Sequence, residues 1–75
     1  MTNSENLDAA IKDTEERIAS ARKDATDAAM REGALLDRGD RAGFRACRAV
    51  RVEAECRMER LERLKTEWVQ RRKAA

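Results

Sequence analysis

The chain has 75 residues, of which 43% are charged and 41% are apolar, and its net charge at pH 7 is +2. Alanine supplies 14 of the apolar residues, whereas Leu, Ile, Val and Phe together supply only 11. This composition excludes a β-rich fold and a large self-contained core. It favours long solvated helices, because Ala, Glu, Arg and Lys are strong helix formers.

Two helices of similar length are predicted on either side of a short turn, within a single domain of residues 1–75. Helix 1 is predicted over about 4–37, with Thr2 or Ser4 as its cap. Gly39 can adopt a positive φ at low cost and Asp40 can cap a following helix, so 38–40 are predicted to be the turn. Helix 2 is predicted over about 41–73. Matched lengths around a tight turn indicate an all-α, antiparallel two-helix hairpin.

Seam residues recur every three or four positions along both helices, which predicts one contact stripe on each. The stripe on helix 1 contains Leu7, Ile11, Thr14, Ile18, Ala21, Ala25, Ala28, Glu32 and Leu35. The stripe on helix 2 contains Cys47, Val50, Ala54, Arg57, Leu61, Leu64 and Trp68, with Phe44 before it and Met58 beside it. The predicted core of the hairpin or of a dimer is Leu7, Ile11, Ile18, Leu35, Phe44, Val50, Met58, Leu61, Leu64 and Trp68.

This seam is thin, because its centre is alanine and other apolar residues, such as Met30 and Val52, lie off it. Small domains often gain the burial that they lack by oligomerising. We therefore expect a homodimer in which two hairpins form a four-helix bundle. Arg57, at a stripe position, is awkward for a monomer, and in a dimer it is expected to reach Glu32 or Glu53, or to extend into solvent.

Several kinds of site are not expected. No apolar run approaches the ~18 residues of a membrane span, and the first residues lack the pattern of a signal peptide, so we expect a cytoplasmic protein. Cys47 and Cys56 would lie on opposite faces of one helix, which excludes a disulfide between them. Without histidine, neither a metal site nor acid–base catalysis has the usual residues, so we expect no enzyme and no cofactor.

Charge is divided unevenly, with a net −4 over residues 1–40 and +6 over residues 41–75. Helix 2 begins with four arginines before its first acid, Glu53, and the first three share one helical face. We predict that the partner-binding residues are Arg41, Arg45, Arg48 and Arg51. Three interpretations remain open: a docking surface for an acidic protein, a complement to the acidic helix 1, and a nucleic-acid contact.

A nucleic-acid partner is less favoured than a protein partner, because the two aromatic residues, Phe44 and Trp68, are assigned to the seam and leave no stacking platform. A membrane surface is not expected either, since the arginine face lacks Trp, Phe or Leu anchors.

The chain opens with the polar segment MTNSEN, followed by two long helices rich in Ala, Arg and Glu. In length and layout it resembles the small phage-encoded helical-hairpin inhibitors of host machinery, and most of all the anti-quorum-sensing proteins of transposable phages. The resemblance implies a dimeric inhibitor that binds the DNA-binding region of a LuxR-type transcription regulator and a pilus assembly ATPase in the host cytoplasm.

The expected function is therefore a non-catalytic protein-binding module that inhibits or redirects a host protein. The alternatives are a nucleic-acid-binding accessory protein and a structural coiled-coil subunit of a larger assembly.

Overall fold

The computed structural model describes residues 3–74 as two helices that pack against each other along their length. Helix α1 spans Asn3–Asp37 and helix α2 spans Arg41–Ala74. The hairpin measures 55 × 14 × 12 Å. The predicted all-α, two-helix hairpin is confirmed, and its helix bounds lie within one residue of those expected from the sequence. The proposed Thr2 cap lies outside the described residues.

The turn is built as the sequence chemistry requires. Gly39 has a φ of 74°, a conformation in which a Cβ would be strained. The N–H of Gly39 donates to the Leu36 carbonyl at 3.0 Å, and the N–H of Asp40 donates to the Leu35 carbonyl at 2.9 Å. These two bonds form a Schellman motif, which closes α1 and satisfies carbonyls at its end.

Helix α2 is capped at once by Asp40, whose Oδ1 accepts a hydrogen bond from the Gly43 N–H at 2.9 Å. The lack of a side chain at Gly43 is needed here, because a Cβ would lie 2.6 Å from Asp40 Oδ2 and 3.1 Å from Leu35 Cδ2. The turn therefore depends on two glycines for two different reasons: positive φ at Gly39 and close approach at Gly43.

The α1 side of the seam follows the predicted stripe, since each of its residues is buried or half-buried. Thr14, which is buried, satisfies its hydroxyl by donating to the Ala10 carbonyl at 2.7 Å. The buried residues among those described are Thr14, Ile18, Ala21, Ala28 and Ala54. Because three of these five are alanine, the helices approach closely but bury little apolar surface.

The α2 side of the seam departs from the predicted stripe. Val50 and Leu64 are 55% and 36% exposed, so their assignment to the hairpin's own seam is wrong. The residues one position later, Arg51 and Lys65, are half-buried in their place. Arg57 keeps its predicted place, and the half-buried or buried positions of α2 are Gly43, Phe44, Cys47, Arg51, Ala54, Arg57, Met58, Leu61, Lys65, Trp68 and Val69.

The shift places two basic side chains of α2 opposite acids of α1. Arg51 Nε lies 2.8 Å from Glu32 Oε1, and Lys65 Nζ lies 3.7 Å from Glu15 Oε1. A basic side chain can lay its methylene stem along the seam while its head reaches an acid at the rim. Valine and leucine at the neighbouring positions offer no such pairing, so α2 presents its basic edge to α1.

Candidate interaction surfaces

Three exposed arginines occupy the first turns of α2. Arg41, Arg45 and Arg48 are spaced by four and three residues, which places them on one face. Within residues 3–74, none of the three guanidinium groups takes part in an ion pair or a side-chain hydrogen bond. The nearest acid in sequence, Asp40, is engaged as the cap of α2.

An apolar strip lies between these guanidinium groups. Arg45 and Arg48 line a shallow groove together with Ala49, Val52 and Glu53, and Val52 is 44% exposed. We call Arg41, Arg45, Arg48, Ala49 and Val52 the arginine surface. It combines unpaired cations at its rim with an uncovered apolar floor, which is a composition typical of protein interfaces anchored by arginine.

Arg51, predicted to act with the other three arginines, has a different environment. Its Nε donates to Glu32 across the helices at 2.8 Å, and its Nη1 donates to Glu55 at 3.0 Å on its own helix. The hydrogen bond to Glu32, and to a smaller extent the one to Glu55, raises the pKa of the Arg51 guanidinium above its usual value. Arg51 therefore stabilises the hairpin, and the structure separates it from the arginine surface.

One flank of the hairpin carries a groove along the seam, which we call the open flank. Its lining residues are Asp24, Asp27, Ala28, Arg31, Cys47, Val50, Glu53, Ala54 and Arg57. A shorter groove lined by Arg17, Ser20, Arg57 and Leu61 continues it towards the open end of the hairpin. The exposed Val50 therefore lies beside a groove whose floor includes two alanines.

Arg57 lies near the middle of the open flank. Its Nη2 lies 2.8 Å from Asp24 Oδ2 and its Nη1 lies 3.8 Å from Glu53 Oε2. Within the hairpin Arg57 therefore pairs with Glu53 of its own helix and with Asp24 of α1, which the sequence reasoning missed. Glu32, the other predicted acid, binds Arg51.

The opposite flank, which we call the closed flank, carries two ion pairs between the helices and, towards the open end, a groove lined by Ile18, Arg22, Glu62, Lys65, Thr66, Val69, Gln70 and Lys73. Arg51 and Lys65 follow Val50 and Leu64 by one residue, about 100° further round the helix. Their pairs with Glu32 and Glu15 bridge the two helices on that side. The asymmetry between the flanks was not predicted, although the acids of the α1 sequence opposite these bases were the signal for it.

The remaining chemical groups form no further cluster among the described residues. Cys47 is half-buried and Cys56 exposed, both as free thiols. No three potential metal ligands come together within residues 3–74. The Arg71 guanidinium lies 5.0 Å from the ring centroid of the half-buried Trp68, a cation–π contact. Neither helix, as far as it is described, has an apolar stretch long enough to cross a membrane.

Comparison with known proteins gives no match. No family model matches the chain, and neither a curated protein nor a solved structure is significantly similar to it. The surfaces described above are therefore the basis for any functional argument.

Proposed function

We propose that this chain is a non-catalytic protein-binding module that inhibits or redirects a host protein in the cytoplasm. The arginine surface binds an acidic patch of that protein. The observation that carries the proposal is that Arg41, Arg45 and Arg48, which have no ion-pair partner within residues 3–74, lie together on one face of α2 next to the exposed Val52.

The stability of α2 itself does not explain why these arginines lie at its N-terminal end. Arg41 is the first residue of α2, whose first turn contains no acid. A cation at a helix N-terminus opposes the macrodipole and costs about 0.3–1 kcal/mol at an exposed site. An external acid would compensate this charge, and the planar guanidinium pairs with carboxylates in a bidentate fork.

The module is proposed to act as a homodimer that forms a four-helix bundle. The support is the small core: three of the five buried residues are alanine, while Val50 and Leu64 are left at the surface. A second copy would supply the apolar burial that a hairpin of this size lacks.

The test is capture of the partner by the immobilised protein from host lysate, with identification by mass spectrometry. The LuxR-type regulator and the pilus assembly ATPase suggested by the resemblance are the first purified candidates. Changing Arg45 and Arg48 together to Glu should weaken capture at least about tenfold, or ~1.4 kcal/mol. The matched control changes Arg63 and Lys73 to Glu, the same charge difference on exposed side chains outside the arginine surface.

Undiminished capture by the Arg45/Arg48 variant, or equal loss in the control, would contradict the proposal. Loss of capture after nuclease treatment of the lysate would instead favour a nucleic-acid partner. Circular dichroism of each variant checks that the helices remain.

A further inference from the structure

The α2 edge of the open flank has a sequence that complements itself when reversed. Val50, Glu53 and Arg57 line the groove, and Arg60 and Leu64 follow on the same side at helical spacing. Val50 and Leu64 are each seven residues from Arg57. If α2 pairs antiparallel with α2 of a second copy and the pairing is centred on Arg57, Val50 of one copy lies opposite Leu64 of the other. Glu53 and Arg60 lie four and three residues from Arg57, so in this pairing each falls within one residue, about 1.5 Å along the helix, of the position opposite the other, and their charges are opposite.

The α1 edge of the open flank also complements itself when reversed, and the centre of this reversal lies at the same level along the hairpin. Arg17, Asp27 and Arg31 line the grooves of the open flank, and Asp13 is ion-paired with Arg17 at 3.1 Å. Reversal about residue 22 places Asp13 opposite Arg31 and Arg17 opposite Asp27, again with opposite charges. The two centres are level with each other, because Arg57 is bonded to Asp24, two residues from the α1 centre.

We propose that a second copy of this chain covers the open flank, with α2 antiparallel to α2, α1 antiparallel to α1, and the two-fold axis level with Arg57. This inference rests on the homodimer proposed above and names its interface. The symmetric contacts are two Val50–Leu64 pairs, two Glu53–Arg60 pairs, two Asp13–Arg31 pairs and two Arg17–Asp27 pairs. Such an interface is isologous, as a two-fold dimer requires.

The centre of this interface brings the two Arg57 side chains towards each other. Each carries its own acids, since Asp24 lies at 2.8 Å and Glu53 at 3.8 Å, so the approaching groups are ion pairs rather than bare cations. The flanking Ser20 and Ala54 are small, which allows the helices of the two copies to approach. The closed flank carries ion pairs between the helices as well, so the choice of the open flank rests on the self-complementary sequences of its two edges.

The decisive experiment is a charge exchange between Glu53 and Arg60, read by sedimentation equilibrium of the full chain. Glu53→Arg places arginine opposite arginine, and Arg60→Glu places glutamate opposite glutamate, so each single variant should dimerise at least about tenfold more weakly. An equimolar mixture of the two variants restores opposite charges at every such contact and should return to about 17 kDa, twice the 8.5 kDa chain. The double variant should also dimerise.

A matched apolar pair sharpens the test. Val50→Ser on the open flank should weaken dimerisation, whereas Val52→Ser, the same change two residues away on the arginine surface, should leave it intact. A wild-type dimer that is insensitive to Glu53→Arg, Arg60→Glu and Val50→Ser would overturn this interface and leave the homodimer standing. A wild-type monomer at high micromolar concentration would overturn both. A mixture that fails to recover would also contradict the proposed register.

Discussion

The two ends of the hairpin differ in how their charges relate to the helices. At the open end, the first turn of α1 contains Glu5, and the last turn of α2 contains Arg71, Arg72 and Lys73. These charges complement the helix dipoles. At the turn end, α1 closes with Asp37 and α2 starts with Arg41, so both charges oppose the dipoles.

Exposure follows the same division, whereas ion pairing does not, because the Arg51–Glu32 pair lies in the turn half. Asp8 pairs with Arg72 and Glu15 with Lys65 towards the open end. Four of the five large hydrophobic side chains exposed at the surface, in contrast, lie between Met30 and Val52. Ion pairs between the helices therefore occur in both halves, and the turn half in addition leaves charged and apolar groups available to other molecules.

The largest effect expected from this comparison concerns the core towards the open end. Ile18 is 7% exposed, so Ile18→Ala should lower the free energy of unfolding by about 2–5 kcal/mol. Met30 is 71% exposed, and Met30→Ala should change it by less than about 0.5 kcal/mol. Urea unfolding at one fixed protein concentration measures both, since a dimer's stability depends on concentration. Equal effects of the two changes would show that the core is wrongly placed.

The glycines give a second, smaller contrast. Gly43 is also helical, but a Cβ there would lie 2.6 Å from the carboxylate that caps α2. Weakening of the cap should therefore offset the gain in helix propensity and leave Gly43→Ala neutral or destabilising by up to about 1 kcal/mol. Gly33 lies in a helix with open space around it, and Gly33→Ala should stabilise the protein by about 0.5–1 kcal/mol. Thermal unfolding followed by circular dichroism distinguishes the two outcomes. A stabilising Gly43→Ala would mean that Asp40 does not cap α2.

The smallest effect is expected at an exposed ion pair. Glu15 and Lys65 are both roughly half exposed and 3.7 Å apart, and solvent screens such pairs strongly. Glu15→Gln should therefore lower the free energy of unfolding by no more than about 0.5 kcal/mol. A loss several times larger, in the same urea titration, would indicate that the closed flank depends on this bridge.

Much of the fold could be read from the sequence because its signals are local. Gly39 and Asp40 define the turn through φ and capping, and the α1 stripe follows from spacing alone. The rotation of α2 could not be read in this way, since hydrophobicity favours Val50 and Leu64 in the seam. The structure instead favours Arg51 and Lys65, whose acids lie on the other helix and are found only by pairing the two sequences.

The candidate binding residues were predicted correctly in part. Charge density alone identified Arg41, Arg45 and Arg48, which the structure leaves exposed and unpaired within residues 3–74. The same criterion included Arg51, although its position on the helix directs it towards Glu32. Charge density does not distinguish a base that binds its own chain from one that is free.

The central claim is that these arginines divide into one that holds the hairpin and three that do not. It is tested most directly by comparing the urea unfolding midpoints of Arg51→Glu and Arg45→Glu at the same protein concentration. We expect Arg51→Glu to lower the midpoint clearly, because it places a third carboxylate beside Glu32 and Glu55. Arg45→Glu should leave the midpoint unchanged or raise it, since an acid in the N-terminal part of α2 favours the helix. Equal midpoints for the two variants, or a lower midpoint for Arg45→Glu, would contradict the division.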